Sequence, residues 1–152
     1  MSETDRYMFR RNALRRLAFG CVALFASAGI ALAAIGAAQQ AVLDQYARQA
    51  KAEDAKFTGF SAERGKAFFL AQWNSGHGDT PSCSTCHTTD PRQMGRTRAG
   101  KDINPMALSR TPDRFSDISK TEKWFGRNCD TVIGRSCTAR EKGDFITFMA
   151  GQ

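Results

Sequence analysis

Apolar residues recur at helical spacing along most of this chain after its first 38 positions, and nowhere do they alternate as a strand requires. Val42, Tyr46 and Ala50 share one face of a helix expected from about Gln39 to Ala52. A second helix follows Ser61, with Phe68, Phe69 and Trp73 turned toward a core and Gly65 allowing another helix to approach closely. From Thr80 to Thr111 the periodicity gives way to Pro, Gly, Thr and Arg, which reads as loop. Two capping boxes come next. Ser119-Lys120-Thr121-Glu122 predicts the start of a short helix bearing Trp124 and Phe125, with Trp124 expected in the core. Thr138-Ala139-Arg140-Glu141 predicts a terminal helix with Phe145, Phe148 and Met149 on one face. The pattern is all-α and shows no internal repeat.

Residues 1–38 read differently. A basic cluster, Arg10, Arg11, Arg15 and Arg16, precedes an uncharged stretch from Leu17 to about Ala38 that is rich in small residues. This is a charged region followed by a hydrophobic one, with small-residue cleavage sites at Ala31-Leu32-Ala33 and Gly36-Ala37-Ala38. The expectation is a signal peptide over 1–38 and one domain over 39–152. A retained membrane anchor is the alternative, because the stretch is long enough to cross a bilayer. Either way the basic flank keeps the N-terminus cytoplasmic and places the rest outside, in the periplasm of a bacterium.

Charge changes the picture little. Of the overall +7, the leader's five Arg against Glu3 and Asp5 account for +3, so the exported part carries only +4. That suits docking to an acidic partner protein at most, and no basic stripe interleaved with aromatics points to nucleic acid.

The candidate chemistry is concentrated in Cys83-Ser84-Thr85-Cys86-His87. Two thiols at this spacing can add across the two vinyl groups of one haem as thioethers, and the adjacent imidazole can ligate the iron. A thiol redox pair has no use for the following His, and a structural zinc site needs further ligands at matching spacing. The motif predicts one covalently bound haem c, around which the helices pack. An N-terminal helix crossing a C-terminal one, with the motif soon after the first, matches class I cytochromes c. Cys21 reads as an apolar residue of the leader, so Cys129 and Cys137 remain, and thiols left over in an oxidising compartment most often pair.

The ligand across the iron from His87 is left open by spacing. Met106, which follows Pro105, is the first choice; Met94 is another, Met149 falls on a core face, and His77 reads as a solvated loop residue. A methionine there gives a simple electron shuttle.

From Ala62-Glu63-Arg64-Gly65-Lys66-Ala67-Phe68 to its end the chain closely resembles the sphaeroides haem protein (SHP) family, oxygen-binding class I monohaem cytochromes c. The resemblance rests on Asp79-Thr80-Pro81-Ser82 leading into the motif, on Thr97-Arg98-Ala99-Gly100-Lys101, and on Thr111-Pro112-Asp113-Arg114-Phe115. Its strongest part is Glu122-Lys123-Trp124-Phe125-Gly126-Arg127-Asn128-Cys129, continuing through Val132-Ile133-Gly134-Arg135 to Cys137.

The resemblance implies an axial asparagine at Asn128, immediately before a disulfide from Cys129 to Cys137. Without it, Asn128 reads as a residue capping the end of its own helix. The resemblance further implies electron donation by a dihaem cytochrome c with a membrane cytochrome b behind it, and a small diatomic ligand: O2, NO or CO. The alternative is a haem enzyme reducing a diatomic or peroxide substrate, although no distal His or acid–base pair for peroxide cleavage is evident. The expectation is therefore an electron-transfer and ligand-binding protein rather than an enzyme.

Overall fold

The computed structural model describes residues 35–74, 76 and 78–152, so residues 1–34 of the expected leader, with Cys21, and His77 lie outside the described residues. The architecture is all-α, as the periodicity predicts. Among the described residues no helix is long and apolar enough to cross a membrane.

Helix α1 spans Ala37–Glu53, starting two residues before the position at which the domain was expected to begin. It buries Val42, Leu43, Tyr46 and Ala50 at the helical spacing read from the sequence. Near its start Gln39 is buried as well. Its Nε2 donates to the carbonyls of Pro112 (2.6 Å) and Arg114 (3.1 Å), which ties α1 to the loop that follows Met106.

Helix α2, Ala62–Leu70, begins where Ser61 accepts a hydrogen bond from the Arg64 N–H, as expected of an N-cap. It ends before Trp73, which sits in the following irregular segment rather than on the helix. A Cβ at Gly65 would collide with the carbonyl of Asp144, so glycine is what permits the close crossing of α2 with the terminal helix.

The terminal helix α5, Ala139–Ala150, opens with the predicted capping box: Thr138 accepts from the Glu141 N–H, and the Glu141 carboxylate accepts from the Thr138 N–H. It packs against α2 and α1, and places Phe145, Ile146, Phe148 and Met149 in the core. Phe145 is the hub of the aromatic packing, with ring centroids 5.9 Å from Phe69, 5.4 Å from Phe125 and 6.0 Å from Phe115. Each such fully buried side chain contributes roughly 1.5–3 kcal/mol.

Helix α4 departs from expectation at its start. It spans Ile118–Ile133, sixteen residues, and its N-cap is Asp117, which accepts from the Lys120 N–H at 2.7 Å; Ser119 lies inside the helix. Two causes favour the earlier start. A carboxylate is a strong cap at the positive end of the helix dipole, and the longer helix brings Ile118 against the core. Gly134, left-handed at φ 76°, ends α4 by donating to the carbonyls of Cys129 and Asp130.

The segment expected as loop holds a one-turn helix and a two-stranded hairpin. Helix α3, Ser84–His87, is a single turn through the cysteine motif. Strands β1 (Gly95–Arg96) and β2 (Asp102–Ile103) then pair antiparallel, Gly95 against Ile103. Two residues per strand are too few to show alternation, so no period-2 pattern marks them along the chain.

Candidate haem site

One turn of helix carries the motif, and the chain around it fixes that turn. Ser82, almost fully buried, donates from Oγ to the carbonyl of Phe69 at 3.1 Å and bonds to Ser84 Oγ at 2.9 Å, linking the end of α2 to the start of α3. The His87 N–H donates to the Cys83 carbonyl, closing the turn. Thr88 then breaks the helix at φ 59°, a conformation disfavoured for a β-branched residue and costing on the order of 1–3 kcal/mol. Its hydroxyl donates to the Asp90 carbonyl at 2.8 Å and holds the reversal.

Cys83, Cys86 and His87 all line one cavity of about 250 Å³ with mainly apolar walls. Met106 and the α4 residues Trp124, Phe125 and Asn128 line the same cavity. The sequence placed these residues as much as 45 positions apart, and the fold brings them together. Met94 is not among the lining residues and is half-exposed; Met149 is buried in the core, as expected.

The electrostatics suit a neutral imidazole and argue against thiolate chemistry. Burial, helped by the nearby Arg114 guanidinium, pushes His87 down to about 4, so the ring is unprotonated and its lone pair available near neutrality. One ring nitrogen, Nδ1, is buried with no hydrogen-bond partner among the described residues. Burial pushes the Cys83 thiol up to about 11, the reverse of what a redox nucleophile or a zinc thiolate requires. Cys83 and Cys86 are not bonded to each other, and among the described residues no three His, Cys, Asp or Glu side chains come together as a metal cluster. An apolar cavity with two thiols and an unsatisfied imidazole in its wall fits a haem. Cys83, Cys86 and His87 would hold it, with Asn128 or Met106 within reach as a further ligand.

Asn128 is not the helix cap it resembles in isolation. Helix α4 continues five residues beyond it, and its carboxamide makes no hydrogen bond among the described residues. Next to it, Cys129 is paired with Cys137, Cα atoms 5.8 Å apart, so the bridge spans the end of α4 and the turn into α5. Trp124 departs from its expected core position: it forms part of the cavity wall yet remains 49% exposed, with the Arg127 guanidinium 5.5 Å above its ring.

Some participants gave no sign in the sequence by themselves. Ser82 acts through a backbone carbonyl thirteen residues away. Arg114 is half-buried and donates to the carbonyls of Pro105 (2.6 Å) and Asn104 (2.5 Å), fixing the loop that presents Met106. Arg98 also lines the cavity and pairs with Asp79. Only their place in the stretches that resemble the SHP family marked them.

Helices packed around a cavity with a C-x-x-C-H turn in its wall define a c-type cytochrome, a protein whose cofactor is covalently bound haem. The chain belongs to the family described as a domain of unknown function (DUF1924), whose model matches residues 55–149. It is 55% identical over 91 residues to cytochrome c-type protein SHP of Cereibacter sphaeroides, covering 60% of this chain and 70% of that protein. It is 35% identical over 86 residues to cytochrome c'' of Methylophilus methylotrophus, covering 56% of this chain and 60% of that one. Among solved structures it matches oxidised SHP, an oxygen-binding cytochrome c, with a TM-score of 0.69 and 46% identity over 75% of this chain and 96% of that one. It also matches oxidised cytochrome c'' with a TM-score of 0.66 and 29% identity over 74% and 92% of the two chains.

Proposed function

We propose that this haem-binding cytochrome is an exported, periplasmic electron-transfer protein in which Asn128 is a displaceable ligand. Cys83 and Cys86 would hold the haem through thioether links, and His87 would ligate its iron. When bound, the haem supplies an iron that cycles between ferric and ferrous states and accepts a sixth ligand. Asn128 offers a carboxamide oxygen, a hard and weak donor that suits the ferric state and is poorly matched to the softer ferrous one. With a haem held there, Asn128 would be the group to give way on reduction, and the site would then admit a diatomic molecule such as O2, NO or CO. The Cys129–Cys137 bridge, one residue away, limits how far Asn128 can travel.

The observation that carries this reading is the setting of Asn128: it lines the cavity from mid-helix with a carboxamide that makes no hydrogen bond among the described residues. Two relatives support it. The SHP structure is described as that of an oxygen-binding cytochrome c, and a solution structure of cytochrome c'' concerns haem-ligand detachment. The electron donor of this reading is another cytochrome, a dihaem c-type protein fed by a membrane cytochrome b.

Met106 supports a second reading, a simple methionine-ligated shuttle, because it is buried in the same cavity wall. Optical spectra of the holoprotein, oxidised, reduced, and reduced under CO, separate the two. A high-spin reduced spectrum that shifts promptly with CO is expected. Sharp low-spin α and β bands indifferent to CO would sink the Asn128 reading in favour of Met106.

A further inference from the structure

Trp124 joins the inside of the molecule to its outside. It forms part of the cavity wall while half its surface faces solvent. A lone exposed apolar side chain ordinarily calls for no explanation, but the surroundings of this one are unusual. Lys120 lies one turn before it and Arg127 one turn after, on the same face of α4, and both are exposed. The Arg127 guanidinium stacks over the indole at 5.5 Å. Lys123 adjoins them, also exposed.

None of these three cations has an acidic partner among the described residues. Asp117 caps the helix, and Glu122 is held by Lys142 at 2.8 Å. Asp130, also exposed, stands about 120° round the helix from Trp124 and about 60° from Arg127, given 3.6 residues per turn, so it borders the cationic rim without an ion pair to it among the described residues. The face around Trp124 is thus an aromatic centre with an unpaired cationic rim, set against the wall of the redox cavity.

We propose that this face of α4, centred on Trp124 between Lys120 and Arg127, is the docking surface for an acidic electron-transfer protein. The inference rests on the reading that the cavity holds the redox haem. An electron carrier needs a small, short-lived interface: apolar contact at its centre keeps the path short, and complementary charge around it steers the encounter. Trp124 supplies that contact, because it both lines the cavity and faces solvent. Asn128, one turn further along, lies on the same flank. Electron entry therefore takes place on the side where the displaceable ligand departs, and a docked partner covers the outer side of Asn128 while the electron arrives.

The test uses the holoprotein and two reductants. Reduced flavodoxin serves as an acidic protein donor, and flash-generated lumiflavin semiquinone as a small neutral one. In the double variant Lys120→Glu/Arg127→Glu, the second-order rate with flavodoxin should fall at least tenfold at low ionic strength, and the difference should close at high salt, where exposed charges are screened. The lumiflavin rate should stay at the wild-type value. A control with the same change in net charge, Lys56→Glu/Lys66→Glu, alters residues outside the cavity wall and should change the flavodoxin rate less than twofold. Equal slowing by both double variants would reduce the effect to net charge and overturn the proposal. So would an unchanged flavodoxin rate in Lys120→Glu/Arg127→Glu accompanied by lost binding to phosphatidylglycerol vesicles, which would assign the face to a membrane surface. If lumiflavin fails to reduce the wild-type chromophore, the haem reading of the cavity fails, and this proposal with it.

Discussion

Gly95 of β1 lies directly against the backbone carbonyl of Cys86, so close that no Cβ fits between them. The small hairpin thus acts as a brace behind the turn that carries both motif cysteines and His87. Alanine at position 95 must push the hairpin or the turn aside, at a cost of about 1–3 kcal/mol for overpacking. Holoprotein carrying Gly95→Ala should show a lower urea midpoint and less covalently attached haem. Gly126→Ala is the contrast, because an added methyl there meets open space in a helix; it should raise stability by up to about 1 kcal/mol. Equal behaviour of the two variants would refute the bracing role.

The crossing of α2 and α5 depends on a buried carboxylate. Asp144 accepts from Arg64 Nε (2.7 Å), Arg64 Nη2 (2.8 Å) and the Ser61 N–H (2.6 Å), and it is 3% exposed. Arg64→Ala leaves that charge uncompensated and should cost about 3 kcal/mol. In an Asp144→Asn background the same change should cost much less, since no buried charge remains to be stranded. Denaturant unfolding of all four proteins gives the coupling directly, and additive losses would contradict this account.

The legible parts of the fold were those whose determinants are close in sequence. Thr138 and Glu141 satisfy each other within one turn, so the start of α5 could be read directly. Asp117 and Ser119 both make plausible caps, and the choice between them depended on whether Ile118 found a core to join, which no local pattern states. Trp124 misled for a related reason: a large aromatic on an amphipathic helix reads as core, but here it belongs to the wall of a cavity open to solvent. Within the site, Cys83, Cys86 and His87 were readable because their spacing is itself the chemistry. Asn128 came forward as a candidate ligand only through family resemblance, since a carboxamide on a helix has no spacing of its own to betray it.

The Cys129–Cys137 bridge closes a loop of eight residues' separation. On the chain-entropy model such a link stabilises by about 2.5 kcal/mol. Cys137→Ser should lower unfolding stability by that order, and dithiothreitol should do the same to the wild type while leaving the variant unchanged. A stability difference that persists between wild type and variant under full reduction would assign the loss to packing at Cys137 instead.

A pH dependence follows from the tie between α4 and α5. Lys142 Nζ donates to both Glu122 oxygens at 2.9 and 2.8 Å, beneath the ring of buried Tyr46. Burial pushes the Glu122 carboxyl up, but Lys142, together with the Tyr46 hydroxyl facing the same carboxylate short of a fully formed hydrogen bond, outweighs it and holds the group below its ordinary 4.5. A carboxylate lowered in the folded state stabilises above its unfolded pKa and loses that contribution as pH falls through the folded one. Glu122→Gln should therefore narrow the stability difference from wild type as pH drops below about 4.5, and leave it constant from pH 6 to 8. Urea midpoints across that range measure it, and a gap that widens in acid would reverse the assignment.

Met106 and Asn128 share one cavity wall, so single variants at each can separate ligation from packing. Met106 is 7% exposed, and Met106→Ala removes buried volume, which should cost about 2–5 kcal/mol. If Asn128 is the ligand, that loss appears in unfolding while the ferric spectrum keeps its wild-type bands. Asn128 is exposed and makes no hydrogen bond among the described residues, so Asn128→Ala should change stability by less than about 1 kcal/mol before any lost ligation is counted. Its ferric spectrum should shift to high spin, and its reduced spectrum, with or without CO, should match wild type because the ligand has already left in that state. The reverse pattern, with Met106→Ala altering both oxidation states and Asn128→Ala altering neither, would assign the sixth position to the thioether.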